Sequence, residues 1–152
     1  MPKIGYSAKI EDKECAKAMG KELRISPKDS AEVCRAIKDM NLGKAKEFLE
    51  LVINKEKPVP YRKHGKKLAH KKGSGYGSGR YPVKAARAIL DVLDNAEANA
   101  SYKGMDSERL KITHASAKKG IVIPGFKPRA FGRATASNRQ TTNVEIILEE
   151  AI

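Results

Sequence analysis

The stretch from Leu110 to Glu149 constrains this chain most, because it carries two strand patterns joined by far more chain than a turn needs. Leu110-Lys111-Ile112-Thr113 alternates apolar and polar residues. Asn143 to Glu149 does the same, with Val144, Ile146 and Leu148 on one face. Period two over such runs predicts half-buried strands of an antiparallel pair. Between them lie Lys118, Lys119, Lys127, Arg129, Arg133 and Arg139, and no acidic residue. Compact domains rarely carry roughly 20 residues of connection without a functional reason. Continued pairing gives about 15 residues per arm at ~3.3 Å each, a projection on the order of 50 Å. A chain of this size has a radius of gyration of only about 15 Å. The prediction is an extended β-hairpin over 110–149, with its tip near 123–134, that leaves the body carrying it. A cationic arm without a core of its own needs a polyanion to order it.

The distribution of charge supports that reading. The net charge is +13, yet residues 1–54 hold 11 Lys/Arg against 9 Asp/Glu. Residues 55–87 hold 11 against 1, and 111–139 hold 7 against none, whereas 88–110 and 140–152 are each net acidic by three. Positive charge confined to two blocks is the footprint of phosphate neutralisation and counterion release. One lysine run is ordinarily a solvated face; two nearly acid-free blocks are not so easily dismissed. Hydrophobic residues make up 40% of the 152, aromatics 5%, and Trp is absent, so one modest aliphatic core over 1–152 is expected. Cys15 and Cys34 follow no signal-peptide pattern, and no run approaches the ~20 apolar residues of a membrane span. Reduced thiols in a cytoplasmic protein with no membrane partner are the expectation.

Taken in order, residues 1–19 predict only a short extended lead-in. Leu23 and Ile25 alternate with Arg24, which suggests a short strand. Ser26-Pro27-x-Asp29 announces a helix with a Ser N-cap, Pro at the first helical position and an acid in the first turn. Val33, Ala36, Ile37 and Met40 would face the core. Asn41 begins a second helix with Ala45, Phe48, Leu49, Val52 and Ile53 on its apolar stripe, and Pro58 and Pro60 stop it. Residues 57–80 form a basic, Gly-rich, insertion-like loop with little scope for burial, in which Tyr61 or Tyr76 could stack on a base. Pro82 opens the longest helix, with Val83, Ala86, Ile89, Leu90, Leu93, Ala96 and Ala100 on one stripe, and Gly104 stops it. The fold class is α+β: three helices on a small three-stranded antiparallel sheet, with Leu23–Ile25 as third strand and a long protruding hairpin.

No pattern calls for catalysis, a metal or a cofactor. Gly73-x-Gly75 places Ser78 where a dinucleotide loop needs glycine, and no Gly-Lys-Ser/Thr closes a P-loop. His64, His70 and His114 lack metal-ligand spacing, and His114 alone on a strand reads as a hydrogen-bonded sheet residue. Asp29, Glu32 and Asp39 share a helix with Lys28, Arg35 and Lys38, where local ion pairs are the plain explanation. Asp94 and Glu97 have no His or Ser partner in sequence. A free RNA or DNA chaperone with a basic arm is the alternative from another class, and an RNA-modifying enzyme is a third that lacks any pocket signature.

Pro128-Arg129-Ala130-Phe131-Gly132-Arg133-Ala134 resembles the Pro-Arg-Ala-x-Gly-Arg-Ala signature of the universal large-subunit ribosomal protein family numbered twenty-two, seventeen in eukaryotic naming. Ile25-Ser26-Pro27-Lys28 is similar to the start of that family's first helix. Asn95 to Ala100 is similar to the end of its long helix, and Asn143 to Leu148 to its return strand. The four motifs stand in the right order, and the resemblance runs through most of the chain. The insertion from Pro58 to Tyr81 resembles archaeal and eukaryotic members, and Ile123-Pro124-Gly125-Phe126 departs from many bacterial tips.

The resemblance implies a structural role in the large ribosomal subunit. The globular part would bind ribosomal RNA near the outer opening of the peptide exit tunnel, and the hairpin would run inward as part of the tunnel wall. Expected RNA contacts are Arg62, Lys63, Lys66, Lys67, Lys71, Lys72, Arg80, Lys118, Lys119, Lys127, Arg129, Arg133 and Arg139. The expected tunnel-lining tip is Gly125, Phe126, Lys127, Pro128, Arg129, Ala130, Phe131, Gly132 and Arg133. Gly132 and the alanines would keep the arm slim. Implied partners are large-subunit ribosomal RNA, neighbouring large-subunit proteins and the nascent polypeptide.

Overall fold

The structure, a computed structural model, describes residues 5–8 and 15–150. In chain order it contains β1 (Cys15–Leu23), α1 (Pro27–Ile37), α2 (Leu42–Ile53), β2 (Val59–Pro60), β3 (Gly79–Arg80) and α3 (Val83–Tyr102). A short 3-10 turn at Ser107–Arg109 leads to β4 (Leu110–Ile123), β5 (Phe126–Arg129), β6 (Arg133–Ala136) and β7 (Arg139–Glu150). The fold is α+β, with the helices against one antiparallel sheet of order β1-β7-β4.

The third strand is β1, not Leu23–Ile25. Ile25 lies beyond the strand, buried, with its carbonyl accepting from Thr142 Oγ1 at 2.8 Å. β1 escaped the period-two reading because its helix-facing residues are Ala16, Ala18 and Gly20, too small to stand out. Small residues are what α3 needs to lie close. A Cβ on Gly20 would come within 2.9 Å of Val92 Cγ2. Of the lead-in expected over 1–19, residues 15–19 belong to this strand; residues 1–4 and 9–14 lie outside the described residues.

The helices begin where their caps predict. Ser26 accepts from the Asp29 N–H, Pro27 opens α1, and Asn41 sits at the N-cap of α2 without a side-chain cap bond. Val33 and Ile37 are fully buried, whereas Ala36 and Met40 are half-buried against the same core. On α3, Ile89, Leu93, Ala96 and Ala100 are fully buried, while Leu90 and Val83 are half-buried and Val92 takes a place in the core. The burying arc is rotated because β1 covers one flank of α3 and α2 covers the other. Lys46 ties those two helices, its Nζ 2.5 Å from Asp94 Oδ1 and 2.6 Å from Glu97 Oε2.

Both edges of the sheet are covered at the body. The Asn99 amide and the Lys103 ammonium donate to the Lys17 and Cys15 carbonyls of β1, each at 2.9 Å. On β4, the Asp39 N–H donates to the Ile112 carbonyl and the Ile112 N–H to the Met40 carbonyl, each at 2.9 Å. Covering an edge in this way suppresses strand addition by other chains.

The face of the sheet away from the helices carries a buried acid, Glu145. His114 Nε2 lies 2.8 Å from its carboxylate, Ser116 Oγ 3.1 Å, Lys118 Nζ 3.2 Å and the Ser7 N–H 3.0 Å; the Ser7 hydroxyl also donates to it. His114 is thus a hydrogen-bonded sheet residue. Burial would raise the Glu145 pKa, but bonds from Ser7, His114 and Lys118 outweigh it and hold the carboxyl at about 2. Cys15 and Cys34 are both buried, and burial pushes the Cys34 thiol up to about 12, with the Glu145 charge adding to it.

Leu93→Ala should cost about 2–5 kcal/mol in denaturant melts, and Leu90→Ala distinctly less because its side chain is only half-buried. A carboxylate whose folded pKa is lowered adds stability that is complete above its unfolded value of 4.5 and is lost as pH falls towards about 2. Glu145→Gln should therefore remove on the order of 3 kcal/mol at neutral pH and flatten the fall in stability across that acid window. Melting curves taken from pH 7 down to 2 compare the two proteins; parallel curves would contradict this account of Glu145.

Candidate nucleic-acid interface

The cations singled out in sequence fall on two structures. The first is built on 57–80. β2 pairs with β3 through Val59↔Arg80 and Pro60↔Gly79, and the Tyr61 N–H donates to the Ser78 carbonyl at 3.0 Å. The base of this segment is part of the core: Val59 is fully buried and Tyr61 only 2% exposed. That corrects the expectation of little burial, and it removes Tyr61 as a stacking platform, since its hydroxyl donates to Asp29 Oδ1 at 2.7 Å. Tyr76 is half exposed, with the Arg62 guanidinium 5.9 Å from its ring centre.

Glu32 explains how so basic a segment is seated. From α1, its buried carboxylate accepts the backbone N–H groups of Arg62, Lys63 and His64 at 3.2, 2.8 and 2.8 Å, with Arg35 3.4 Å away. Burial alone would raise its pKa; the three N–H bonds and Arg35 reverse that and keep it below the ordinary carboxylate range. With the backbone held from inside, the side chains of Arg62, Lys63, Lys66, Lys67, Lys71, Lys72 and Arg80 are all exposed.

The second structure is the ladder between β4 and β7. It runs from Leu110↔Glu150 to Ile123↔Arg139, and β5 pairs with β6 from Phe126↔Ala136 to Arg129↔Arg133. Pairing resumes after the break in the same phase, with the Ser137 N–H donating to the Gly125 carbonyl at 2.6 Å. The inner pairs, as far as Lys118↔Asn143, belong to the body's sheet. The exposed part is therefore about ten residues per strand, on the order of 35 Å, shorter than the projection expected from sequence. From Ile121 to Ala136 only Gly125 is even half-buried.

Strand alternation gives this ribbon two unlike faces. Lys127, Arg129, Arg133 and Thr135 share one, and Phe126, Pro128, Ala134 and Ala136 share the other. Ala130-Phe131-Gly132 closes the end, with Phe131 at φ +60° and Gly132 at φ +63° and the Phe131 side chain 92% exposed. Lys119, Lys127, Arg129, Arg133 and Arg139 are exposed; Lys118 differs, its ammonium being engaged by Glu145. Gly125, Phe126, Pro128, Ala130 and Gly132 complete the ribbon's end.

The cluster of Ser7, His114 and Glu145 is not arranged for covalent chemistry. Ser7 Oγ and Glu145 Oε1 both approach His114 at the same nitrogen, Nε2, at 3.3 and 2.8 Å. A proton relay needs the hydroxyl and the carboxylate on opposite ring nitrogens. Among the described residues no group of three or more His, Cys, Asp or Glu could hold a metal ion, and no helix is long and apolar enough to cross a membrane. Sequence reasoning missed two features. Glu32 read as a local helix partner of Arg35, although its main partners lie thirty residues away. Arg24, Lys84 and Arg87 were within reach, the last two being counted in the basic block, but nothing local joins them to the arm.

Comparison with known proteins gives this geometry its context. The family profile described as Ribosomal protein L22p/L17e matches residues 18–149. A protein of Methanopyrus kandleri called large ribosomal subunit protein uL22 is 57% identical over 143 residues, covering 93% of this chain and 90% of its own length. Its namesake in Methanosphaera stadtmanae is 54% identical over 147 residues, covering 96% and 95%. That of Methanocaldococcus jannaschii is 48% identical over 151 residues, covering 99% and 97%. With the profile spanning the three helices and all but the last residue of the ladder, the chain belongs to the ribosomal protein L22p/L17e family.

Proposed function

We propose that this chain, by its family a structural constituent of the ribosome and not an enzyme, binds large-subunit ribosomal RNA through two cationic structures, the 57–80 segment and the 110–149 ladder. On this reading the body lies near the outer opening of the nascent-peptide exit tunnel, and the ribbon's end, 123–134, forms part of the tunnel wall. Its partners are then ribosomal RNA, neighbouring large-subunit proteins and the passing polypeptide.

The observation that carries the proposal is the ribbon itself. It extends well beyond its sheet, has no acidic residue from Lys111 to Arg139, and gathers Lys127, Arg129 and Arg133 on one face. Directly opposed like charges such as Arg129 and Arg133 destabilise a strand pair in water. Phosphates alongside turn that repulsion into charge-assisted hydrogen bonding, and arginine's planar fork suits them. The other face, with its small and apolar residues, suits a narrow wall. The anchored 57–80 segment presents a second set of cations from a fixed base.

Affinity of the isolated chain for large-subunit ribosomal RNA should fall steeply with salt, log K against log[salt] having a slope of about −0.7 to −0.9 per neutralised phosphate. A salt-insensitive affinity would sink the proposal. Deleting Ile123–Arg133 should leave the melting temperature of the free protein nearly unchanged, because those residues bury almost nothing. The same deletion built into ribosomes should change the passage of nascent chains or the response to tunnel-binding drugs. Translation indifferent to the deletion would refute the tunnel assignment.

A further inference from the structure

We infer that the cleft where the arm meets the body is a third binding surface for the ribosomal RNA backbone, continuous with the cationic face of the ribbon. This rests on the RNA-binding reading above and names a surface which that reading does not include. The cleft, of about 620 Å³, lies between the start of α1, the first turn of α3 and the inner end of the ribbon. Arg24, Lys84 and Arg139 line it, and Arg87 joins Arg24 and Lys84 in the adjoining hollow. Leu23 to Pro27, α3 and β7 each contribute, so only the tertiary fold brings these cations together.

Three observations point to a polyanion. No carboxylate among the described residues is within ion-pair distance of Arg24, Lys84, Arg87 or Arg139; Asp91 borders the hollow without pairing. Elsewhere on the body Lys46, Arg35 and Lys118 each have a carboxylate partner, so the cleft holds charge that the protein leaves unanswered. Pairing across the ribbon keeps one phase from Arg129↔Arg133 to Ile123↔Arg139, which puts Arg139 in step with Lys127, Arg129 and Arg133. A strand of phosphates following the ribbon's cationic face therefore arrives at Arg139, and the cleft offers it Lys84 and Arg24 next. A free anion would need no such track, whereas a nucleic-acid backbone needs one.

The test uses the full chain carrying Arg24→Gln, Lys84→Gln and Arg87→Gln together, with protein-free large-subunit ribosomal RNA as probe. All three side chains are exposed, so the melting curve should match that of the parent. The slope of log K against log[salt] should become shallower by about two, from roughly 0.7 for each phosphate no longer neutralised. A second variant, Lys127→Gln with Arg129→Gln and Arg133→Gln, reports on the ribbon alone. If the ribbon variant loses slope and the cleft variant keeps the parent's slope and affinity, the cleft assignment is wrong while RNA binding stands. If the parent itself fails to bind the RNA, both fall. A cleft variant with the parent's slope that nevertheless fails to enter reconstituted large subunits would put an acidic protein segment in the cleft, and would overturn the RNA assignment.

Discussion

The backbone ladder between β4 and β7 is the interaction on which the rest of this structure depends. Its inner half joins the central strand β7 to the edge strand β4 of a packed sheet, and its outer half continues into the exposed ribbon. The inner half is held on both faces. Val144, Ile146 and Leu148 sit against the helices with no exposure, and Glu145 is buried on the opposite side among hydrogen-bond donors. A strand fixed this firmly at one end sets the direction in which its other end leaves. The long ribbon needs no core of its own to be aimed, only a rigid root.

Charge is arranged around that root by a consistent rule. Where acids meet cations in the body, they hold elements together. Glu32 anchors the base of the 57–80 segment, Asp94 and Glu97 join α2 to α3 through Lys46, and Glu145 gathers His114 and Lys118. Where cations stand without acids, on the ribbon, along 62–80 and at the cleft, they are exposed. Net charge of +13 is thus a poor description of the molecule. A compact, nearly neutral frame carries unneutralised surfaces, and the salt-sensitive RNA affinity proposed above would rest on those surfaces alone.

How much of this was legible in the chain depended on whether the signal was local. The helices were legible from Ser26-Pro27, Asn41 and the aliphatic stripes, and the ribbon's cations were legible because acid-free charge has nowhere to go but out. Strand β1 was not, because period two is carried by large side chains and β1 turns Ala16, Ala18 and Gly20 inward. Most of β4 was hidden by two irregularities, between Ile112 and His114 and between Lys119 and Val122, each adding one residue to β4. The first reverses which residues face the helices, from Ile112 before it to Ala115 and Ala117 after it, and the second shifts the phase of the exposed ribbon. The alternation beginning at Leu110 therefore breaks where the strand does not. Tyr61 and Glu32 misled for a different reason: their partners lie about thirty residues away, and only packing puts them together.

The ribbon's end is built against the preferences of a free hairpin. Arg129 faces Arg133, and Phe131 holds a left-handed backbone that costs an L-residue roughly 1–2 kcal/mol. Its ring is almost wholly exposed, so no burial offsets that cost within the chain. A turn whose two central residues both have positive φ nevertheless matches the twist of the strands entering it, which most turns do not. Gly132 meets the requirement without strain, and Phe131 bears it. The turn closes the ribbon directly beyond its last pair, Arg129↔Arg133, at the expense of local stability. That choice is disadvantageous for a ribbon meant to stand alone in water. It suits one whose cations are neutralised and whose end is confined by a partner, as the proposed binding to ribosomal RNA requires.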